Sequence, residues 1–137
     1  MGITASLLLE WSFNLLNIVK NAVRALSHQD DGMITLKTRV VRQMTIGNKR
    51  HKLVTMIQII DNGPGIAKKL KEKIFFPMVS GTQGGVGVGL SISQALISKH
   101  GGFIECESQK GETVFTVWIP LEESNESAWW YLGYWWW

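Results

Sequence analysis

The sequence predicts an α+β fold: a two-layer α/β sandwich whose mixed sheet is covered on one face by helices. Three observations predict it. Apolar residues recur at helical spacing over residues 6–27 and again over 90–100. Runs rich in β-branched and apolar residues follow each helical stretch in pairs, and each pair is joined by a glycine-containing turn. An amphipathic helix and a half-apolar sheet bury their apolar faces best against each other. The chain has 137 residues, enough for one domain with a real core.

The first helix carries Leu15, Leu16, Ile18, Val19, Ala22, Val23 and Leu26, and Asp30-Asp31-Gly32 ends it. Residues 33–42 and 52–61 read as strands joined by a turn around Gly47-Asn48. The second is almost uninterrupted in apolar residues from Leu53 to Ile60, the mark of a buried strand. A short helix over residues 67–74 follows, with Lys68, Lys69, Lys71 and Lys73 as a solvated face. The stretch Val79–Gly89 is dense in glycine. The helix over 90–100 stops at His100-Gly101-Gly102, and strands over 103–108 and 113–120 turn at Lys110-Gly111. Residues 1–12 form an atypical N-terminal extension, 13–121 the domain, and 122–137 a polar linker and tail. Five of the seven tryptophans fall in Trp129–Trp137, a segment open to reading as a chain-end artefact, an appended sequence or an interaction tail.

Composition narrows the function. The net charge of +3 is mild and most basic residues are scattered, so direct nucleic-acid contact is not expected. No apolar stretch is long enough to span a bilayer, and the N-terminus lacks the basic start of a signal peptide. Met1-Gly-Ile-Thr-Ala-Ser6 fits the N-myristoylation pattern, but the match is too short to carry weight. Cys106 is the single cysteine, which fits a reducing, cytoplasmic setting and a packing role.

Three features carry chemistry. Asp61-Asn-Gly-Pro-Gly65 places a carboxylate at the end of a buried strand, where an ionised group needs a hydrogen-bond donor. Asn14, Asn17, Asn21, Arg24 and His28 follow at steps of three or four, so they share one helix face. Such a stripe usually faces water, but Asn is a poor helix former, and its amide suits a hard cation or phosphate oxygens. Gly85-Val-Gly-Val-Gly-Leu90 runs into a helix, whose N-terminal N–H groups attract anions.

Together these residues resemble the ATP-binding catalytic domain of sensor histidine kinases. The wider family includes gyrase, the heat-shock chaperone of 90 kDa and the MutL mismatch-repair protein, all with the Bergerat ATP-binding fold. Asn17-Ile-Val-Lys-Asn21-Ala22 resembles the N box, and Asp61–Gly65 the first glycine box. Ile74-Phe-Phe-Pro77 resembles the F box, and Gly85–Leu90 the second glycine box. Phe76-Pro-Met-Val-Ser-Gly81 and the long 33–61 hairpin are most similar to the nitrogen-regulation type. The family's N-terminal strands have no counterpart in residues 1–12, so a sheet lacking them is expected.

The resemblance implies roles. Asp61 accepts a hydrogen bond from the adenine amine, Gly63, Gly65 and Ile66 bring the backbone close to the base, and Thr113 lies beside them. Asn21 ligates Mg2+, Asn17 supports the metal or phosphate shell, and Arg24 reaches a phosphate, with Lys20 a competitor for that task. Asn17, Asn21 and Arg24 form the catalytic set. Ser80, Gly81, Gly85, Gly87, Val88, Gly89 and Leu90 form the lid around the phosphates. Phe75 and Phe76 anchor the lid in the core, and His100 is structural. The implied function is presenting the γ-phosphate of Mg-ATP to a histidine on a separate dimerisation domain, and through it to a response regulator. Two alternatives stand beside it: a nucleotide-binding or interaction fragment without turnover, and a hydrolysing ATPase. Hydrolysing relatives carry a Glu where Asn17 stands, and an amide cannot act as a general base.

Overall fold

The computed structural model describes residues 5–76 and 89–121. Helix α1 spans Ala5–Ala25 and runs unbroken through residues 12 and 13. Strands β1 (Ile34–Ile46) and β2 (Lys49–Asp61) follow, then helices α2 (Lys68–Lys71) and α3 (Gly89–Lys99), and strands β3 (Phe103–Gln109) and β4 (Glu112–Pro120). The strands form one sheet in the order β1-β2-β4-β3. No strand precedes α1 among the described residues.

The two-layer arrangement is the one expected, but the expected mixed sheet is corrected. All three pairings are antiparallel. Both β1–β2 and β3–β4 are hairpins, which can pair only this way, and the crossover through α3 returns the chain so that β4 runs against β2. The first hairpin is longer than the pattern suggests. Gly47, at φ +62°, makes the tight turn, so pairing continues to Ile46 opposite Lys49.

The register decides what is buried. Ile59 lies opposite Phe115, and Ile57 opposite Val117, which in turn lies opposite Ile104. With strand periodicity of two, these side chains share the face on which α1 and α3 pack. From α1 come Ile18 and Ala22, from α3 Ile97, and from the segment after α2 Ile74. Fully burying side chains such as Ile18, Ile59 and Ile97 contributes about 1.5–3 kcal/mol each. The Leu53–Ile60 run is not buried throughout, as its composition predicts. Leu53 is exposed, and Met56, Ile57 and Ile60 are only half-buried. For Met56 and Ile60 the physical reason is that they project on the second sheet face, where no described helix lies; Leu53 shares the helix face but lies beyond the last β4 pairing, at Val54. The second face instead carries a Gln58–Thr116 hydrogen bond at 3.2 Å and a stacked Phe103–Trp118 pair at 6.0 Å.

The F-box aromatics separate. Phe75 packs against the core and meets Phe115 edge-on at 6.5 Å. Phe76 is 60% exposed, which corrects its expected core role: adjacent residues leaving a short helix point in different directions. Cys106 packs against the core, and burial pushes its thiol up to about 11, as fits a packing residue. His100 Nε2 lies 3.1 Å from Glu10 Oε2 and its ring 5.0 Å from that of Trp11, tying the end of α3 to the start of α1.

One contact fixes the strand end that matters most. The β3–β4 turn closes onto residues 63–66, where the Gly111 N–H donates to the Gly63 carbonyl at 3.0 Å. Gly65 sits at φ +85°, and a Cβ there would lie 2.6 Å from the Gln109 carbonyl oxygen. Gly47 is also left-handed, but a Cβ there meets nothing within 4 Å. In urea unfolding, Gly47→Ala is therefore expected to lose about 1–2 kcal/mol, the left-handed penalty alone. Gly65→Ala carries the same penalty plus the clash, and equal losses for the two would show that the turn does not press on Gly65.

Candidate functional site

The site forms where the end of β2, the end of α1 and the start of α3 meet. Asp61 is the last residue of β2 and only 2% exposed. The Gly63 N–H donates to its Oδ1 at 3.0 Å. No other donor among the described residues reaches the carboxylate. Burial raises its pKa above the ordinary carboxylate value, and the Gly63 hydrogen bond partly opposes that rise. The group is a buried acceptor with spare capacity.

Thr113 lies directly opposite Asp61 on β4 and is 3% exposed. Its hydroxyl is 2.7 Å from that of Ser108, which also accepts the Ile66 N–H at 2.8 Å. A short chain of hydrogen bonds thus joins the glycine turn to Thr113. Ser108 was not singled out from the sequence. It is a lone serine in a strand, and only the tertiary approach of residue 66 gives it a role. Asn62 fixes the other side of the turn. It accepts the Met33 N–H at 2.7 Å, donates to the Asp31 carbonyl at 2.9 Å, and its carbonyl accepts from Gln29 Nε2 at 3.0 Å.

Helix α1 contributes the amide stripe, which does not simply face water. A Cβ at Gly63 would lie 3.4 Å from Ala25 Cβ, so the end of α1 abuts the Asp61 turn. One turn back, Asn21 Nδ2 donates to the Asn17 carbonyl at 3.0 Å. That bond uses the amide nitrogen and leaves the Asn21 oxygen as a hard neutral ligand. Asn17 Nδ2 makes a long 3.5 Å contact with the Gly89 carbonyl at the start of α3. Arg24 is exposed at the end of the same face, while Lys20 sits at its solvent edge. Asn14 is fully interior. At 1% exposure, neither its amide nitrogen nor its oxygen has a hydrogen-bond partner, and Ser93 donates to its backbone carbonyl at 3.5 Å.

The structure therefore brings Asn17, Asn21, Arg24, Asp61, Gly63, Gly65, Ile66, Gly89 and Thr113 to one end of the fold, with Leu90 in the first turn of α3. Ser80, Gly81, Gly85, Gly87 and Val88 lie outside the described residues. Among the described residues no three His, Cys, Asp or Glu side chains cluster as a metal site. The oxygen chemistry of Asn21 fits Mg2+ held mainly by phosphates and water, with few protein ligands. No helix of the described residues is long and apolar enough to cross a membrane.

The chain is similar to known proteins in sequence and in fold. Residues 14–123 match the family described as histidine kinase-, DNA gyrase B- and HSP90-like ATPase. The sensory histidine kinase/phosphatase NtrB of Vibrio alginolyticus is 53% identical over 107 residues, 78% of this chain and 31% of that protein. NtrB of Klebsiella oxytoca is 48% identical over 109 residues, 80% of this chain and 31% of its own length. The chain thus spans about a third of the relatives it matches. Among solved structures, the catalytic domain of histidine kinase ThkA superposes with a TM-score of 0.63 at 31% identity, covering 81% of this chain and 66% of that one. The mycobacterial sensor histidine kinase MprB shares the fold at 22% identity, with a TM-score of 0.61 and coverage of 81% and 72%. The match over 110 residues shows that the chain belongs to the histidine kinase-, DNA gyrase B- and HSP90-like ATPase family, as a domain similar to the catalytic domains of histidine kinases.

Proposed function

We propose that the chain binds Mg-ATP at the Asp61 end of the sheet and presents the γ-phosphate to a histidine on a separate dimerisation domain. From that histidine the phosphoryl group passes to a response regulator. The observation that carries this reading is Asp61 itself: a buried carboxylate with one internal donor and spare acceptor capacity. An adenine amine supplies the missing donor, and Thr113 stands beside it. Gly63, Gly65 and Ile66 form the floor under the base.

The phosphates extend from the base towards α3, where the first-turn N–H groups of Gly89 and Leu90 favour anions. Arg24 adds positive charge from the end of α1. Asn21 offers its oxygen to Mg2+, and that ion supplies charge neutralisation of the phosphates when bound. Asn17 holds Asn21 from one turn earlier and cannot itself take a proton from water. Such a site favours orienting ATP for transfer over hydrolysing it. Ser80, Gly81, Gly85, Gly87 and Val88 complete the lid in this reading. The lone Cys106, with no partner for a disulfide, supports a cytoplasmic setting.

A Mg2+-supported titration with a non-hydrolysable ATP analogue tests the site. Asp61→Ala is expected to weaken binding by about 10- to 100-fold, the range for losing a buried hydrogen bond to a charged group. Asn21→Ala should abolish the Mg2+ dependence of binding. Wild type binding no better than Asp61→Ala would remove the nucleotide assignment. For transfer, the domain mixed with a separately expressed acceptor hairpin should yield phosphohistidine, whereas steady phosphate release without an acceptor would support the hydrolysing ATPase.

Asp61 also predicts a pH effect. Its folded pKa is raised above the unfolded value, so its stabilising contribution is complete below the unfolded pKa and is lost as pH rises through the folded one. Asp61→Asn should therefore be more stable than wild type at neutral pH, and the gap should close as pH falls through the Asp61 titration. Paired urea melts along a pH series measure it, and a constant gap would mean burial does not disfavour the carboxylate.

A further inference from the structure

We propose that Ser108 is a positioning residue that turns the Thr113 hydroxyl into a fixed donor to N1, the ring nitrogen beside the adenine amine. This role of Ser108 rests on the reading of the Asp61 end of the sheet as a nucleotide site. Asp61, Thr113 and Ser108 form one row across three strands: Thr113 lies opposite Asp61 on β2 and opposite Ser108 on β3. Directly paired residues project on the same side, here the side that carries the helices.

The proton directions along the row follow from its donors. The Ile66 N–H donates to Ser108 Oγ at 2.8 Å, and Ser108 Oγ lies 2.7 Å from Thr113 Oγ1. A hydroxyl has one proton to give and two lone pairs. If Thr113 gave its proton to Ser108, Ser108 would accept twice, and its own proton would meet no acceptor among the described residues. With Ser108 as donor, the bonds run head to tail from the Ile66 N–H through Ser108 to Thr113. Each bond in such a chain polarises and strengthens the next. The Thr113 proton is then free. It is not spent on Asp61, which only the Gly63 N–H reaches among the described residues.

So arranged, the row presents an acceptor, Asp61, beside a donor, Thr113. The edge of adenine carries the complement, an amine donor beside the bare N1. A freely turning hydroxyl spends part of its time offering N1 a lone pair, whereas one that already accepts from Ser108 is aimed to donate. Ser108 is itself held against the glycine turn. A Cβ at Gly65 would lie 2.6 Å from the carbonyl oxygen of Gln109, the neighbour of Ser108, so little slack remains between Ile66 and β3.

Mg2+-supported titrations of the full chain compare adenylyl imidodiphosphate with its 1-deaza counterpart, in which N1 becomes C–H and the amine is kept. Wild type is expected to prefer the parent compound by about five- to tenfold, the range for one neutral hydrogen bond. Ser108→Ala should weaken the parent by about that factor and the 1-deaza compound by no more than about twofold, so the preference disappears. Retained binding of the 1-deaza compound shows that the variant is folded. Thr113→Val should erase the same preference, and adding Ser108→Ala to it should weaken the parent no further. Ser108→Thr keeps the hydroxyl and should keep the preference. No preference in wild type, equal weakening of both compounds by Ser108→Ala, an additive double variant, or loss of preference in Ser108→Thr would each overturn the role of Ser108 and leave the nucleotide site standing. Wild type binding the parent no better than Asp61→Ala would instead remove the nucleotide reading, and the role of Ser108 with it.

Discussion

Burial of the Asp61 carboxylate is the constraint on which the site depends. A carboxylate at 2% exposure must be given donors or must lose its charge. Among the described residues this fold supplies one donor, the Gly63 N–H. Everything nearby holds that one bond in place. Gly65 takes a left-handed conformation against the Gln109 carbonyl, Gly111 donates to Gly63, and Ser108 catches the Ile66 N–H. The β3–β4 turn thus acts as a clamp on the glycine turn from the far edge of the sheet. Asn62 performs the same task towards the end of α1 through Gln29, Asp31 and Met33. The turn is rigid on both flanks while the carboxylate between them stays short of donors.

The contact between α1 and α3 is the second support, and it is unusually polar. Asn14 is buried there with its amide unpartnered, Ser93 is buried opposite, and Asn17 reaches Gly89 one turn further on. Two leucines would pack such an interface more stably, since an unsatisfied buried amide costs about 1–3 kcal/mol. What the polar stripe provides is a line of amides leading from the helix interface to the open end of the site, where Asn21 and Arg24 lie. Stability at the interface and reach at the site are drawn from one helix face, and the residues cannot be optimised for both.

Much of this was legible in the sequence because the chemistry is local. Asp61 to Gly65 are consecutive, and the asparagines follow helix geometry, so both were readable without tertiary contacts. The misses share a cause. Which members of the stripe are interior depends on where α3 docks, which separates buried Asn14 from exposed His28. Phe75 and Phe76 have the same composition but leave the chain in different directions. Ser108 acquires its role only when residue 66 reaches it. The Leu53–Ile60 run looks uniformly buried, yet Met56 and Ile60 project on the sheet face that carries no described helix. The antiparallel sheet follows from two tight turns and a returning crossover, whereas the mixed sheet rested on strands for which residues 1–12 show no sequence signal.

The two ends of β2 carry opposite chemistry. At one end Asp61 lies in the site, and at the other Lys49, Arg50 and Lys52 extend past the last β4 pairing at Val54. Over thirteen residues these ends are about 40 Å apart at the usual rise per residue. β1 spans the whole distance, with Ile34 opposite Asp61 and Ile46 opposite Lys49. The residue before Ile34, Met33, is the one that hydrogen-bonds Asn62 in the turn. β1 therefore starts from the same backbone that positions the Asp61 turn. The turn is thus held on both flanks, and β1 carries that constraint along the sheet. Past Val54 the basic ribbon lacks that support, because there β1 and β2 pair only with each other among the described residues.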